Sequence, residues 1–143
     1  MDMTSISFFI PGPPRGKGRP RFTRNGHAYT DDKTRSYEAA VLDAFTRNGG
    51  GFYAQRGEPV SMSIVIRMPV PQSWSKKRQE EACSGALQPL VKPDIDNVCK
   101  AILDALNGKA WRDDTQVTRM DVHKVYTRPD MAGVVVFLCK IPD

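Results

Sequence analysis

The sequence predicts an α/β (α+β) fold: one compact domain spanning residues 1–143, with a mixed β-sheet and helices packed against it. Three observations predict it. The chain has 143 residues of which 40% are apolar, enough for one core of moderate size. Its hydrophobic spacing alternates between strand-like and helical periods in the order strand, helix, strand, helices, strand, strand. Glycines and prolines, 11 of each, punctuate these segments, and no internal repeat or interdomain linker interrupts them.

Ser5 to Ile10 is apolar and partly β-branched and runs into Pro11-Gly12-Pro13-Pro14, which predicts a strand stopped by residues that cannot extend a ladder. From Arg15 to Tyr29, glycines 16, 18 and 26 and Pro20 argue against regular structure. Arg15, Lys17, Arg19, Arg21 and Arg24 are therefore expected on a mobile or ligand-ordered basic loop at 15–29. Asp32 or Thr34 can cap a helix from Thr34 to Asn48, with Tyr37, Ala40, Val41, Ala44 and Phe45 on one face and glycines 49 to 51 ending it. Val60 to Met68 alternates through Met62, Ile64 and Ile66 as a half-buried strand closed by Pro69 and Pro71. Ser73 predicts the N-cap of a short charged helix, Trp74 to Cys83, within an excursion from the core at 73–90.

Asp96 to Asn107 carries the clearest helical pattern, begun near Pro93 and stopped at Gly108. At ~100° per residue, Asp96, Asn97, Lys100, Asp104 and Asn107 share one arc, while Val98, Cys99, Ala101, Ile102, Ala105 and Leu106 occupy the rest. Gln116 to Tyr126 and Val134 to Ile141 read as closing strands joined at Arg128-Pro129-Asp130.

The charge balance, 21 Lys and Arg against 16 Asp and Glu, is only modestly positive, but it is unevenly placed. Cations crowd residues 15 to 24 and again at Lys76, Lys77 and Arg78, whereas aspartates concentrate between 94 and 121. Basic surface beside an acidic centre suits a metal-using enzyme acting on a polyanion, since cations hold phosphates and carboxylates hold the metal. The opening Met1-Asp2-Met3-Thr4 lacks a cationic export signal, and the apolar run Val134 to Cys139 is too short for a bilayer, so a cytoplasmic protein without a membrane partner is expected. Cys83, Cys99 and Cys139 are scattered, with no C-x-x-C pair, and are expected to be reduced packing residues.

Asp94 and Asp96 stand two residues apart at a helix start, where an extended lead-in points both to one side and places two hard oxygen ligands together. Asp113-Asp114 adds carboxylates before the next strand, and the short link from Gly108 to Arg112 returns the chain toward the helix start. Lys100, one turn beyond Asp96, can reach whatever such a metal holds and stabilise a pentacovalent phosphate. A structural reading stands beside this one. Asp at a helix start often serves as a cap or dipole partner, and Asp96 with Lys100 has the spacing of a surface ion pair.

Other chemistries lack their residues. A calcium loop needs glycine where Cys99 stands and glutamate where Ala105 stands. His27 and His123 belong to no H-E-x-x-H, and residues 15 to 18 lack the phosphate-loop pattern, so no nucleotide cofactor is expected. Trp74 and Trp111 read as packing residues rather than base-stacking platforms.

Lys92-Pro93-Asp94-Ile95-Asp96-Asn97, Lys100, Asp104-Ala105-Leu106-Asn107-Gly108 and Trp111-Arg112-Asp113-Asp114-Thr115-Gln116-Val117 closely resemble the RusA family of Holliday junction resolvases. Pro11-Gly12-Pro13-Pro14, Gly18-Arg19-Pro20-Arg21-Phe22 and Ala28-Tyr29-Thr30 resemble that family's opening, and only residues 70 to 91 are less distinctive. The resemblance implies a small α/β homodimer that binds four-way DNA junctions in recombination and repair and, with magnesium or manganese, nicks two strands symmetrically. It implies Asp94, Asp96 and Asp114 as metal ligands, Lys100 as the essential lysine and Asp113 as an auxiliary. It also suggests a prophage source. Two rival functions are a nuclease for other branched DNA and a DNA-binding protein whose acidic cluster only caps a helix. The Trp74 to Leu90 excursion departs from the shortest family members, and Lys76, Lys77 and Arg78 are expected to add phosphate contacts there.

Overall fold

Alternation along the strands decides which face of the sheet is buried. The computed structural model describes residues 3–18, 21–29 and 32–142. Along the chain these form β1 (Ser5–Pro11), β2 (Arg21–Phe22), β3 (Ala28–Tyr29), α1 (Asp32–Gly49), β4 (Val60–Pro69), α2 (Lys76–Cys83), α3 (Ile95–Leu106), β5 (Val117–Thr127) and β6 (Gly133–Lys140). The main sheet is mixed, ordered β1-β6-β4-β5, with β6 antiparallel to both β1 and β4 and β5 parallel to β4. A parallel neighbour demands a crossover, and α2 and α3 lie in it. The link predicted at Arg128-Pro129-Asp130 contains a 3-10 turn, Pro129–Met131, that carries the chain from β5 past β4 to β6.

Ile6, Phe8 and Ile10 of β1, Val134, Val136 and Leu138 of β6, and Val60, Met62, Ile64 and Ile66 of β4 all point to one side and are buried. Helix α1 packs on β1, with Phe45 edge-on to Phe8 at 5.7 Å between ring centroids, and α3 packs beside α1. The buried residues of α3 are Val98, Cys99, Ala101, Ile102, Ala105 and Leu106, the apolar set that its periodicity predicted. On the opposite face of the sheet Phe9 and Phe137 remain exposed, and the Arg67 guanidinium lies 5.9 Å from the centre of the Phe9 ring.

Several expectations are corrected. The segment from 15 to 29 contains the short antiparallel pair β2 and β3, because the tight turn at Gly26, with φ of 80°, lets the chain fold back on itself. The charged helix begins at Lys76, capped by Ser75, whose hydroxyl accepts from the Arg78 amide at 3.2 Å. Trp74 stands before it, its amide donating to the Pro71 carbonyl at 3.2 Å in a turn, and its ring lies edge-on against Tyr126 of β5 at 5.4 Å. That contact and the buried Ala82 dock the excursion onto the sheet's edge strand. Ala40 of α1 is exposed rather than on the packed face, and Thr34 accepts a hydrogen bond from a loop amide. Only Cys99 is buried among the cysteines; Cys83 and Cys139 sit at exposed positions of α2 and β6, beyond the reach of the core.

Tyr37 of α1 is buried with its hydroxyl lacking a hydrogen-bond partner among the described residues. Burial pushes its pKa up to about 12, with the neighbouring Arg15 backbone and charge pulling the other way by less. A raised phenol pKa leaves stability unaffected below the unfolded value and erodes it as pH rises from there through the folded value. The chain should therefore lose up to roughly 2–3 kcal/mol between about pH 10 and pH 12 through this group. Tyr37→Phe should abolish that increment in urea titrations and stay within ~1 kcal/mol of the parent at pH 7, since the Arg15 backbone near its hydroxyl falls short of full hydrogen-bond geometry.

Candidate active site

The chain leaves the cis Lys92–Pro93 peptide directly into α3, and Asp94 takes the N-cap position with extended backbone. An N-cap aspartate ordinarily accepts a hydrogen bond from an amide in the first turn. Asp94 makes no such bond, so starting the helix does not occupy its carboxylate. Asp96 follows in the first turn, exposed like Asp94. The lead-in is held from the sheet: the Lys124 ammonium of β5 donates to the carbonyls of Val91 at 2.7 Å and Pro93 at 3.2 Å.

The N-terminal segment forms the facing wall. The Lys17 amide donates to the Asn97 carbonyl at 2.9 Å, and the Gly18 amide to the Thr34 hydroxyl at 3.0 Å. A Cβ on Gly16 would lie 2.8 Å from Cβ of Asn97 and 3.3 Å from Cβ of Pro93, so only glycine fits this approach. Residues 15 to 18 are therefore a strap fastened across α1 and α3, which corrects the mobile alternative of the expected mobile or ligand-ordered loop. Its glycines permit close contact instead of supplying freedom.

Between strap and helix lies a cleft of about 520 Å³ lined by Arg15, Lys17, Lys33, Lys92, Asp94 and Asn97. A second groove, about 700 Å³, runs between the residues 88–90 connection and β5, past His123 and Lys124. Asp94 borders both.

Asp114 approaches the same helix further along. Its Oδ1 accepts from the indole N–H of Trp111 at 2.8 Å, and Trp111 is wholly buried, so the core fixes this carboxylate. Burial holds the Asp114 carboxyl above the usual carboxylate range; the Trp111 bond opposes that, the charges of Asp104 and Asp113 add to it, and Lys100 offsets them. Asp114 thus meets the part of α3 that bears Lys100 and Asp104. Asp104 itself receives two ammoniums, Lys100 at 3.4 Å on Oδ1 and Lys17 at 3.1 Å on Oδ2. Lys17 also reaches Glu38 of α1 at 2.5 Å. Burial alone would lower the Lys17 pKa, but the bonds to Glu38 and Asp104 outweigh it and raise the value above the ordinary one.

The turn carrying Asp113 and Asp114 is organised by Gln116. Its amide oxygen accepts from the Arg112 and Asp113 amides, each at 3.0 Å, and its nitrogen donates to the carbonyls of Ala54, Gln55 and Glu58. Asp113 accepts from the Thr115 hydroxyl at 2.9 Å and is exposed.

Among the described residues no three Asp, Glu, His or Cys side chains form a ready-made metal cluster. Magnesium commonly takes one or two protein carboxylates and completes its shell with water and phosphate oxygens, and exposed, uncapped carboxylates suit that donor set. Of the other candidates, Arg15 lines the cleft, Arg24 is exposed near the β2–β3 turn, and Lys76 and Lys77 are exposed on α2. The Arg78 guanidinium stacks 4.0 Å over the Trp74 ring. Arg19 and the side chain of Arg21 lie outside the described residues. His123 pairs with Asp121 on exposed β5 at 3.0 Å. Sequence reasoning missed Lys33, Glu38 and Lys124 as parts of this region, and no local pattern marks them; Gln116 stood in the family-like run from Trp111 to Val117, but without a role. Asp104 was visible as the i+4 partner of Lys100 on the polar arc.

Residues 11–138 match the family described as Endodeoxyribonuclease RusA. The chain belongs to the RusA endodeoxyribonuclease family. It is also 35% identical over 137 residues to the uncharacterized protein YqaN of Bacillus subtilis (strain 168), covering 94% of this chain and 96% of that protein. The match takes in the residues from the strap to the turn at Asp114. No helix among the described residues is long and apolar enough to cross a membrane.

Lys124→Met keeps the stem but deletes both bonds to the lead-in. It should lower unfolding free energy by about 1–3 kcal/mol and speed amide exchange across residues 91–97. Unchanged exchange there would show that the lead-in holds its course without Lys124.

Proposed function

We propose that this RusA-family protein is a Holliday junction resolvase: an endodeoxyribonuclease that binds four-way DNA junctions and hydrolyses a phosphodiester bond in each of two symmetry-related strands. The observation that carries the reading is a helix-start carboxylate, Asp94, that caps nothing and faces a cleft lined by Arg15, Lys33 and Lys92. Cations that hold backbone phosphate and a carboxylate left available for the reaction suit hydrolysis better than passive binding.

In this reading Asp94 and Asp96, with Asp114 as a third carboxylate, would hold magnesium or manganese; when bound, the ion would activate water at neutral pH and neutralise charge on the phosphate. The remaining steps belong to the chain. Arg15, Lys33 and Lys92 seat the phosphate backbone in the cleft. Lys100 places its ammonium where negative charge develops on the phosphoryl oxygens. Trp111 orients Asp114 from the core, and Asp113 with Gln116 sets the path of the turn that bears it. A homodimer completes the scheme, since a two-fold junction presents two equivalent phosphates and a C2 dimer presents two equivalent sites.

The test is incubation with a labelled immobile four-way junction, with and without magnesium, beside flap and linear duplex controls. Paired nicks on the junction, dependent on metal, are expected; preferential cutting of flaps would assign a different branched substrate, and binding without cutting would defeat the nuclease reading. Asp96→Asn should abolish cutting and retain junction binding, and Lys100→Met should slow cutting by roughly 10²–10³-fold. Changing Lys76, Lys77 and Arg78 together to Ala should reduce the salt slope of binding by about 0.9 for each phosphate that the variant no longer neutralises. An unaltered slope would remove α2 from the DNA interface.

A further inference from the structure

Two lysines and two carboxylates, supplied by the strap, α1 and α3, meet around Asp104. Asp104 divides its oxygens between Lys100 and Lys17, and Glu38 takes the other side of Lys17. We propose that Asp104, braced by Lys17 and Glu38, is the positioning residue for Lys100 in phosphodiester hydrolysis. The inference rests on the nuclease reading above, in which Lys100 acts on the phosphate.

Lys100 needs such a partner. Its side chain is 66% exposed on a flexible stem, and Asp104 is its only ion-pair partner among the described residues. An ammonium free to sample solvent contributes little to a transition state, because it must be ordered at the moment of reaction. Asp104, one turn further along α3, holds it onward along the helix, on the stretch whose charges Asp114 feels. Asp104 in turn needs compensation, being partly enclosed and close enough to Asp114 for mutual repulsion. Lys17 brings that charge from outside the helix, and the four groups sum to zero. Lys17 is itself fixed at both ends, its amide bonded to Asn97 and its ammonium to Glu38. The strap's attachment to α3 is thereby linked to the orientation of the lysine.

This assigns Lys17 a different task from a phosphate contact. With a side-chain exposure of 21% and two carboxylate partners, its charge is already committed. An ordinary surface pair such as Asp43 with Arg47 also has i,i+4 spacing, but it lacks the third and fourth groups from other elements.

The experiment compares the wild type with Asp104→Asn, Lys17→Met, Lys17→Arg and Glu38→Gln. It measures single-turnover cleavage of the four-way junction in magnesium, junction affinity and its salt slope without metal, thermal melting, and the order of the Lys100 ammonium by 15N relaxation. Asp104→Asn and Lys17→Met should each slow cleavage about tenfold or more, which is ~1.4 kcal/mol, with affinity and salt slope unchanged. The Lys100 ammonium should become more mobile in both, and Lys17→Arg should restore part of the rate. Glu38→Gln, the mildest change, keeps the test readable if Lys17→Met fails to fold. Wild-type cleavage and Lys100 order in Asp104→Asn would overturn the proposal. So would a Lys17→Met defect confined to affinity and salt slope, which would make Lys17 a phosphate contact. If the wild type cut no DNA while Lys100 order still depended on Asp104, the nuclease reading would fail and the brace would stand; unchanged order would sink the brace whatever the cleavage.

Discussion

The burial of one face of α3 is the constraint on which the rest of the site depends. Six apolar residues of this helix are sunk beside α1, and each contributes through the area it removes from water. Their insertion fixes the helix's rotation about its axis. Once the rotation is fixed, Asp96, Asn97, Lys100 and Asp104 must face away from the core, toward the strap and the turn at Asp114. The chemistry-bearing arc is therefore set by packing on its opposite side, without polar contacts having to choose it.

What that arc gathers is electrostatically uncomfortable. Asp94 and Asp96 share a helix start, and Asp114 feels Asp104 and Asp113. The chain answers by bringing cations from distant segments: Lys17 from the strap, Lys100 from the helix itself, and Lys33 and Lys92 along the cleft. Fixed neutral groups do the complementary work of aiming. A fully buried indole directs Asp114, and the Gln116 amide ties its turn to the carbonyls of residues 54, 55 and 58. Groups preorganised in this way need no rearrangement at the moment of reaction.

The strap shows how a local rule can mislead. Glycine is the residue of mobile loops, yet Gly16 is needed because any Cβ would strike Asn97 and Pro93. Two backbone amides that lack ladder partners are satisfied by an α3 carbonyl and a threonine hydroxyl instead. A local rule also placed the start of α2 too early: Ser73 and Ser75 are equally good caps by residue type, and in the fold Ser75 accepts from the Arg78 amide while a turn at Pro71–Trp74 precedes it.

By itself the sequence determined the mixed α/β class, the four strands of the main sheet, the amphipathic face of α3 and the acidic segments around Asp94 and Asp114. Each of these is written in periods of two or 3.6 residues, or in contiguous motifs, and short-range geometry translates them directly. Tertiary structure alone decided that Asp94 caps nothing, that Asp114 meets α3 beside Lys100 and Asp104, and that Lys17, Glu38 and Lys124 contact α3, the strap or the lead-in to α3. Those partners are separated from it by tens of residues, so their proximity follows from how the elements pack, which no local pattern encodes.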